Sequence, residues 1–360
     1  MIRLRILSRG CLLCAVAALV SCQGGNSRVD TSSGGDTLRF KYATLLTVVR
    51  YADHTHVVIR NPWAKGKVLR QYDISKPLRR AVVTTTAHCQ LLTWLGAGGD
   101  IAGVCDAQYI QVPRVWQGLR QGQIADCGNS MSPSIEKMVA ARADAISVSP
   151  FENSGGYGKL EQLGIPIIEA ADYMEPSPLA RTEWMRLYGL LFGCERQADS
   201  LFHVVDSTYN SLKALAGKLP VGRKVLCERK TGSVWYCPGG RSTIGQLIAD
   251  AHGRYVWQTD RHSGSLTLAP EQVIDRAATA DLWLFVYTGA PISRSRLLDE
   301  YEGYRTLRAM SQGHVYGCNA GRCHFFEEIP FRPDYLLRDY IRLIHPSVQL
   351  GRLRYYKQVE

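Results

Sequence analysis

The sequence predicts an α/β protein in which two lobes with central parallel sheets are joined by one long backbone helix and leave a ligand cleft between them. Three observations carry that expectation. From about residue 80, short apolar runs alternate with helical stretches, the pattern of strands buried on both faces of a parallel sheet. Residues 195–215 contain neither Gly nor Pro and would form a helix of ~32 Å at 1.5 Å per residue. The third is an internal echo. Pro133-Ser134-Ile135-Glu136-Lys137-Met138-Val139 leads through Ala143-Asp144 into a strand, and Pro270-Glu271-Gln272-Val273-Ile274 leads through Ala280-Asp281 into another. Two halves of one Rossmann-like plan place a ligand in the crevice at the C-terminal ends of the strands.

Composition bounds the class. Of 360 residues, 46% are hydrophobic and 21% charged, with 7 Trp, 18 Tyr and 8 Phe. That is enough apolar surface for a core and too little for a polytopic membrane protein. The net charge of +11, from 43 Lys+Arg against 32 Asp+Glu, favours anionic partners. The basic residues alternate with acids and form no run with interleaved aromatics, so no nucleic-acid partner is expected.

Taken in order, the chain opens with Arg3, Arg5 and Arg9, an apolar run over 11–20, and no acid before Asp30. The run is shorter than the roughly 20 residues of a permanent span and reads as a secretion signal. It ends in Leu19-Val20-Ser21-Cys22, which resembles the lipobox of bacterial lipoproteins. The resemblance implies acylation of Cys22 as the mature N-terminus and a membrane anchor at the cell envelope, in the periplasm. An ordinary signal peptide is the alternative. Residues 1–22 are thus signal and lipidated cysteine, and 23–36, rich in Gly, Ser and Asn, a flexible tether. Loss of 1–21 removes three Arg and no acid, lowering the charge from +11 to +8.

Residues 37–178 are expected to form the N-terminal lobe. Segments 40–51 and 55–60 read as two strands around a turn, stopped by Asn61-Pro62. A strand at 81–85, a helix at 87–95 and a strand at 101–105 follow. Ser132-Pro133 reads as a helix start, with Ser as cap and Pro at the first helical position. Strands at 144–148 and 167–169 flank a helical stretch at 160–163. Residues 179–219 form a helical connector, with 182–192 as one helix before the backbone helix. The apolar row of the latter is Ala198, Leu201, Val204 or Val205, Leu212 and Leu215. Residues 220–347 form the C-terminal lobe, with strands at 224–228, 234–237, 282–287 and 315–316 and helices at 243–251, 271–278 and 333–344. Residues 348–360 are a tail.

Eight cysteines remain once Cys11, Cys14 and Cys22 are set aside. An even number in an oxidising compartment permits four disulfides. Cys227/Cys237 and Cys318/Cys323 are close enough for local loops, and Cys105/Cys127 could link neighbouring strands; the connectivity stays open. His54-Thr55-His56 puts two imidazoles on one strand face without a shared carboxylate signature, and no resident metal is expected.

The chain resembles a known family on an ordered set of motifs. These are Val82-Val83-Thr84-Thr85-Thr86, Gln90-Leu91-Leu92, Leu95-Gly96-Ala97-Gly98, Ile101-Ala102-Gly103-Val104, Ser134-Ile135-Glu136-Lys137-Met138, Leu163-Gly164-Ile165-Pro166, Arg332-Pro333 and His345-Pro346. Together they are similar to the periplasmic solute-binding proteins of ABC importers for ferric siderophores, cobalamin and haem. The resemblance covers roughly 80–347 and implies a monomeric carrier that delivers a small-molecule metal chelate to importer permease subunits. In that family one Glu on each lobe docks onto basic permease residues, a role that falls here on Glu136 and Glu271. It also implies little closure on binding, a few degrees to roughly ten, because one stiff helix joins the lobes.

Ligand contacts are expected from loops that follow the strands: Thr86, Tyr109, Phe151, Glu152 and Tyr173 on the first lobe, Trp235, Tyr236 and Tyr287 on the second. Arg241, Glu327 and Arg332 would supply charge. Tyr109 lies near the position where haem-binding members carry an iron-ligating Tyr. The aromatics suit a large flat chelate held by stacking. The rival class is a chelatase-like, tetrapyrrole-modifying envelope enzyme, since chelatases share a two-lobed architecture. No nucleophile elbow, His-Glu-x-x-His or phosphate loop supports it, and no catalytic residue is expected.

Overall fold

Two five-stranded sheets carry the architecture. The computed structural model describes residues 34–152 and 156–360. The expected signal, Cys22 and most of the tether lie outside the described residues. In the first sheet the strands run side by side in the order Ile167–Glu169, Ala145–Val148, Ala81–Val83, Ile101–Val104 and Ala125–Asp126, all parallel. In the second the order is Arg254–Tyr255, Lys224–Cys227, Leu282–Tyr287, Val315–Asn319 and Tyr356–Gln358, parallel except for the last strand. The α/β class with a parallel sheet in each lobe is therefore as expected.

The internal echo has a physical basis. Asp144 accepts the backbone N–H groups of Arg79 and Arg80 at 2.7 and 3.1 Å, and returns its own N–H to Arg80 O at 2.8 Å. Asp281 accepts the N–H of Lys224 at 2.9 Å and donates to Lys224 O at 2.8 Å. In each lobe one aspartate thus pins the start of its own strand to the start of the neighbouring strand. Between strands every backbone polar group must find a partner, and these carboxylates supply one at the frayed ends.

The backbone helix spans Glu195–Ala216. It buries Ala198, Phe202, Val205, Tyr209 and Ala216, whereas Val204 and Leu215 of the expected row are exposed. The aromatics decide the face: Phe202 packs inward and the Tyr209 hydroxyl donates to Asp250 at 2.7 Å. The expected single helix at 182–192 is two, Pro178–Glu183 and Met185–Phe192. Between them the chain tightens to a three-residue step, with Trp184 N bonded to Arg181 O.

A four-stranded antiparallel sheet precedes the first lobe: Asp36–Leu38, Leu46–Arg50, Thr55–Arg60 and Val68–Ile74. The first and last strands were not expected; both carry exposed and half-exposed side chains along their length. Residues 40–45, expected in a strand, bond to carboxylates instead of a ladder. Glu183, fully buried, accepts the N–H groups of Lys41, Tyr42 and Ala43 at 2.7–2.8 Å, and Glu175 those of Thr44 and Leu45.

Three further expectations are corrected. Ser132–Pro133 pairs with Gly128–Asn129 as a short ladder, and the helix begins later, at Ile135–Ala140, capped by Ser134. The eight described cysteines are all free thiols. Cys105 and Cys127 are buried in one apolar cluster and Cys227 and Cys237 in another, while the Cys318 and Cys323 sulfurs lie 3.6 Å apart. Residues 348–360 are no tail. Tyr355 and Tyr356 are buried, and Val359 N bonds to Val315 O across the sheet edge.

Candidate functional site

A cavity of about 890 Å³ opens where the C-terminal strand ends of the second sheet face Thr85, Thr86 and Ala87 of the first lobe. That is within the range of small-molecule sites. Its apolar wall includes Tyr236, Tyr287, Ile244, Leu247, Phe325 and Phe326. Its charged groups are Arg181, Glu228 and Arg229. Ser242 caps the helix Thr243–Asp250, which forms one side of the cavity. That helix abuts the Gly239-Gly240 turn so closely that a Cβ on Gly245 would lie 2.6 Å from Gly240 O.

The charged groups are held in place. Arg181 Nε donates to Asp172 at 2.8 Å, and His88 Nε2 lies 3.2 Å from the other oxygen of that carboxylate. His88 Nδ1 is in turn 2.5 Å from the Thr85 hydroxyl. Burial alone would raise the Asp172 carboxyl, but Arg181 and His88 outweigh it and hold it below its usual value. Arg181 is therefore a guanidinium fixed in position at the cavity wall, with Asp172 as its counter-charge. Arg229 pairs with Glu300 at 2.5 Å.

Glu228 is the opposite case. It directly follows the strand Lys224–Cys227 in the left-handed conformation, with φ 62°. Its N–H donates to Leu284 O, its C=O accepts from Trp283 Nε1, and one carboxylate oxygen accepts from Val286 N at 3.2 Å. Burial pushes its carboxyl from 4.5 up to about 7, against the smaller opposing effects of the Val286 N–H and Arg229. A non-glycine residue held in this conformation beside a cavity marks a site where the fold accepts strain for position.

Of the residues expected from the sequence, Thr86, Tyr236 and Tyr287 line this cavity. The Thr86 hydroxyl is already committed to Glu327 at 2.8 Å. Phe151 lines a smaller hollow of about 390 Å³, which shares Thr85 with the main cavity. Glu152 is exposed near that hollow. Tyr109 is 71% exposed at the end of a one-turn helix, Ala107–Tyr109. The Tyr173 hydroxyl donates to Pro150 O. Arg241 is exposed outside the cavity wall.

Two assignments are overturned. Trp235 does not face the cleft: it is fully buried, packs on Trp283 and Tyr304, and donates from Nε1 to Cys227 O. In the strand Val234–Pro238 the alternation turns Trp235 into the core and Tyr236 outward. Arg332 makes two bonds to Asp334, at 2.9 and 2.7 Å, and stacks on Tyr335, so its charge is spent on the start of the helix Pro333–Ile344. Glu327 is a seam residue: it is buried and accepts from Thr86 Oγ1 and, at 3.1 Å, from Gln111 N.

Arg181, Glu228 and Arg229 were not singled out in the sequence. The signal for the last two was their place directly after an apolar strand. Arg181 had none, because it reaches the cavity from the helical connector.

Comparison with known proteins accords with this geometry. The family model described as periplasmic binding protein matches residues 82–320. An uncharacterized lipoprotein of Methanocaldococcus jannaschii is 25% identical over 305 residues, 82% of this chain and 72% of that protein. A periplasmic binding protein from Veillonella parvula superposes with TM-score 0.63 at 13% identity, over 82% of this chain and 99% of that one. A periplasmic heme binding protein from Pseudomonas aeruginosa does so with TM-score 0.61 at 16% identity, over 78% and 98%. Likeness at such identities is likeness of fold. The match over residues 82–320 goes further: the chain belongs to the periplasmic binding protein family, whose members bind solutes rather than catalyse reactions.

Proposed function

We propose that the protein captures a bulky metal chelate of the haem, cobalamin or ferric-siderophore class between its lobes and delivers it to an ABC importer permease. The observation that carries this reading is the interlobe cavity of about 890 Å³, which combines an aromatic and aliphatic wall with the fixed guanidinium of Arg181 and with Arg229. Apolar walls take a macrocycle or aromatic chelator, and the cations take the carboxylates of an anionic chelate such as haem. Docking to the permease is assigned to Glu136 and Glu271. Both are exposed, each in the first turn of the helix that feeds the equivalent strand of its lobe, Ala145–Val148 or Leu282–Tyr287. Anchoring through an acylated Cys22 would keep the carrier beside its importer.

The test is absorbance titration of the purified protein with haemin, hydroxocobalamin and a ferric siderophore, each separately. One of them should give a saturable, reversible spectral change at one equivalent. Absence of binding by all three, or turnover of a bound tetrapyrrole into a new product, overturns the reading.

A further inference from the structure

Two hydrogen bonds across the seam between the lobes come from one residue. Gln111 of the first lobe donates from its backbone to Glu327 and from its side-chain amide to Ala320 O. Ala320 sits between Cys318, at the end of the second sheet's fourth strand, and Cys323, which leads into the helix Phe325–Glu328 carrying Glu327. The two sulfurs lie 3.6 Å apart across this loop. We propose that Cys318 and Cys323 are a redox-closed clip on the interlobe seam, oxidised to a disulfide by an acceptor disulfide in the cell envelope.

The chemistry is set up asymmetrically. Cys323 is the one described cysteine that is not buried, whereas Cys318 is fully buried behind it. The hydrogen bond from Cys318 lowers the Cys323 thiol despite partial burial, so Cys323 is the attacking sulfur. Burial pushes the other six described thiols up: to about 12 for Cys105 and Cys237, about 11 for Cys127 and Cys194, and well up for Cys89 and Cys227. In the first step the Cys323 thiolate bonds to one sulfur of the acceptor, whose S–S bond breaks and releases a thiolate. In the second, Cys318 bonds to the Cys323 sulfur and the acceptor's second sulfur leaves. The two thiol protons end on the two acceptor thiols, and two electrons pass to the acceptor.

The clip acts on the seam. It closes a small ring around Ala320, whose carbonyl Gln111 grips, and fixes the approach to Glu327. Cross-linking removes conformations open to the loop when the seam parts, so it favours the joined lobes. The clip does not depend on which ligand is carried.

The test uses the full-length protein without ligand, equilibrated in mixtures of oxidised and reduced glutathione, acid-quenched and alkylated under denaturing conditions. Peptide mass mapping should find a loss of about 2 Da that links Cys318 to Cys323, with the six buried cysteines alkylated. Amide exchange of the peptide containing Gln111 should be at least about tenfold slower in the oxidised protein than in the reduced one. Cys323→Ser should abolish that redox difference. Failure to form the link, preferential oxidation of another pair, or a link that leaves exchange at Gln111 unchanged overturns the proposal. Because no readout involves a ligand, these failures are distinct from failure of the transport reading.

Discussion

Replacing Glu228 by Gln should stabilise the protein at pH 8 and leave it nearly unchanged at pH 4.5. The carboxyl titrates at about 7 in the folded chain against 4.5 ordinarily. Between those values the folded state holds a proton that the unfolded state has released, so stability falls as pH rises through the window and the loss is complete above it. At about 1.4 kcal/mol for each tenfold difference in proton affinity, the full cost of ionising Glu228 is about 3 kcal/mol. Gln keeps the oxygen that accepts from Val286 N and carries no charge, so it avoids this cost. The assay is urea unfolding of wild type and variant at pH 4.5, 6 and 8. The difference between the two proteins should grow with pH, to about 3 kcal/mol in favour of the variant. A difference that is constant across the range, or that favours wild type at pH 8, would refute the assignment of a strained, desolvated carboxyl to this wall.

Other outcomes follow from the same geometry. The double variant Glu136→Ala/Glu271→Ala should lose importer-dependent uptake while chelate affinity, read by absorbance titration, stays at the wild-type value. Arg229→Gln should weaken an anionic chelate roughly tenfold, and thermal unfolding should barely shift because the ion pair it breaks is partly solvated. Trp235→Ala should cost about 3–5 kcal/mol in denaturant unfolding, through the cavity left in the second lobe, with affinity intact in the protein that remains folded. A large affinity loss with normal stability would return Trp235 to the binding site.

The parallel sheets and the backbone helix were legible because burial on both faces writes itself into the sequence as short apolar runs, and because 195–215 lacks any helix breaker. The repeated Ala-Asp before a strand was legible too, and its carboxylates turn out to fasten strand starts. What stayed hidden depends on partners remote in sequence. Residues 40–45 look like a strand until Glu175 and Glu183, more than a hundred positions away, take their amides. The face of the backbone helix was misjudged by its aliphatic residues because Phe202 and Tyr209 fill more volume and set the rotation. Candidate binding residues could be placed on the right strand ends, as Tyr236 and Tyr287 were. Whether a charged side chain lines the cavity, as Arg181 does, or is held away from it, as Arg332 is, is a property of the assembled neighbours.

The strand Tyr356–Gln358 pairs antiparallel with Val315–Asn319, and Glu360 O accepts from Arg294 N at 2.7 Å. The second lobe's sheet is thus completed by a strand that follows the rest of that lobe in the sequence. Until that strand has been made, the edge of Val315–Asn319 stays uncovered and open to pairing with another nascent chain.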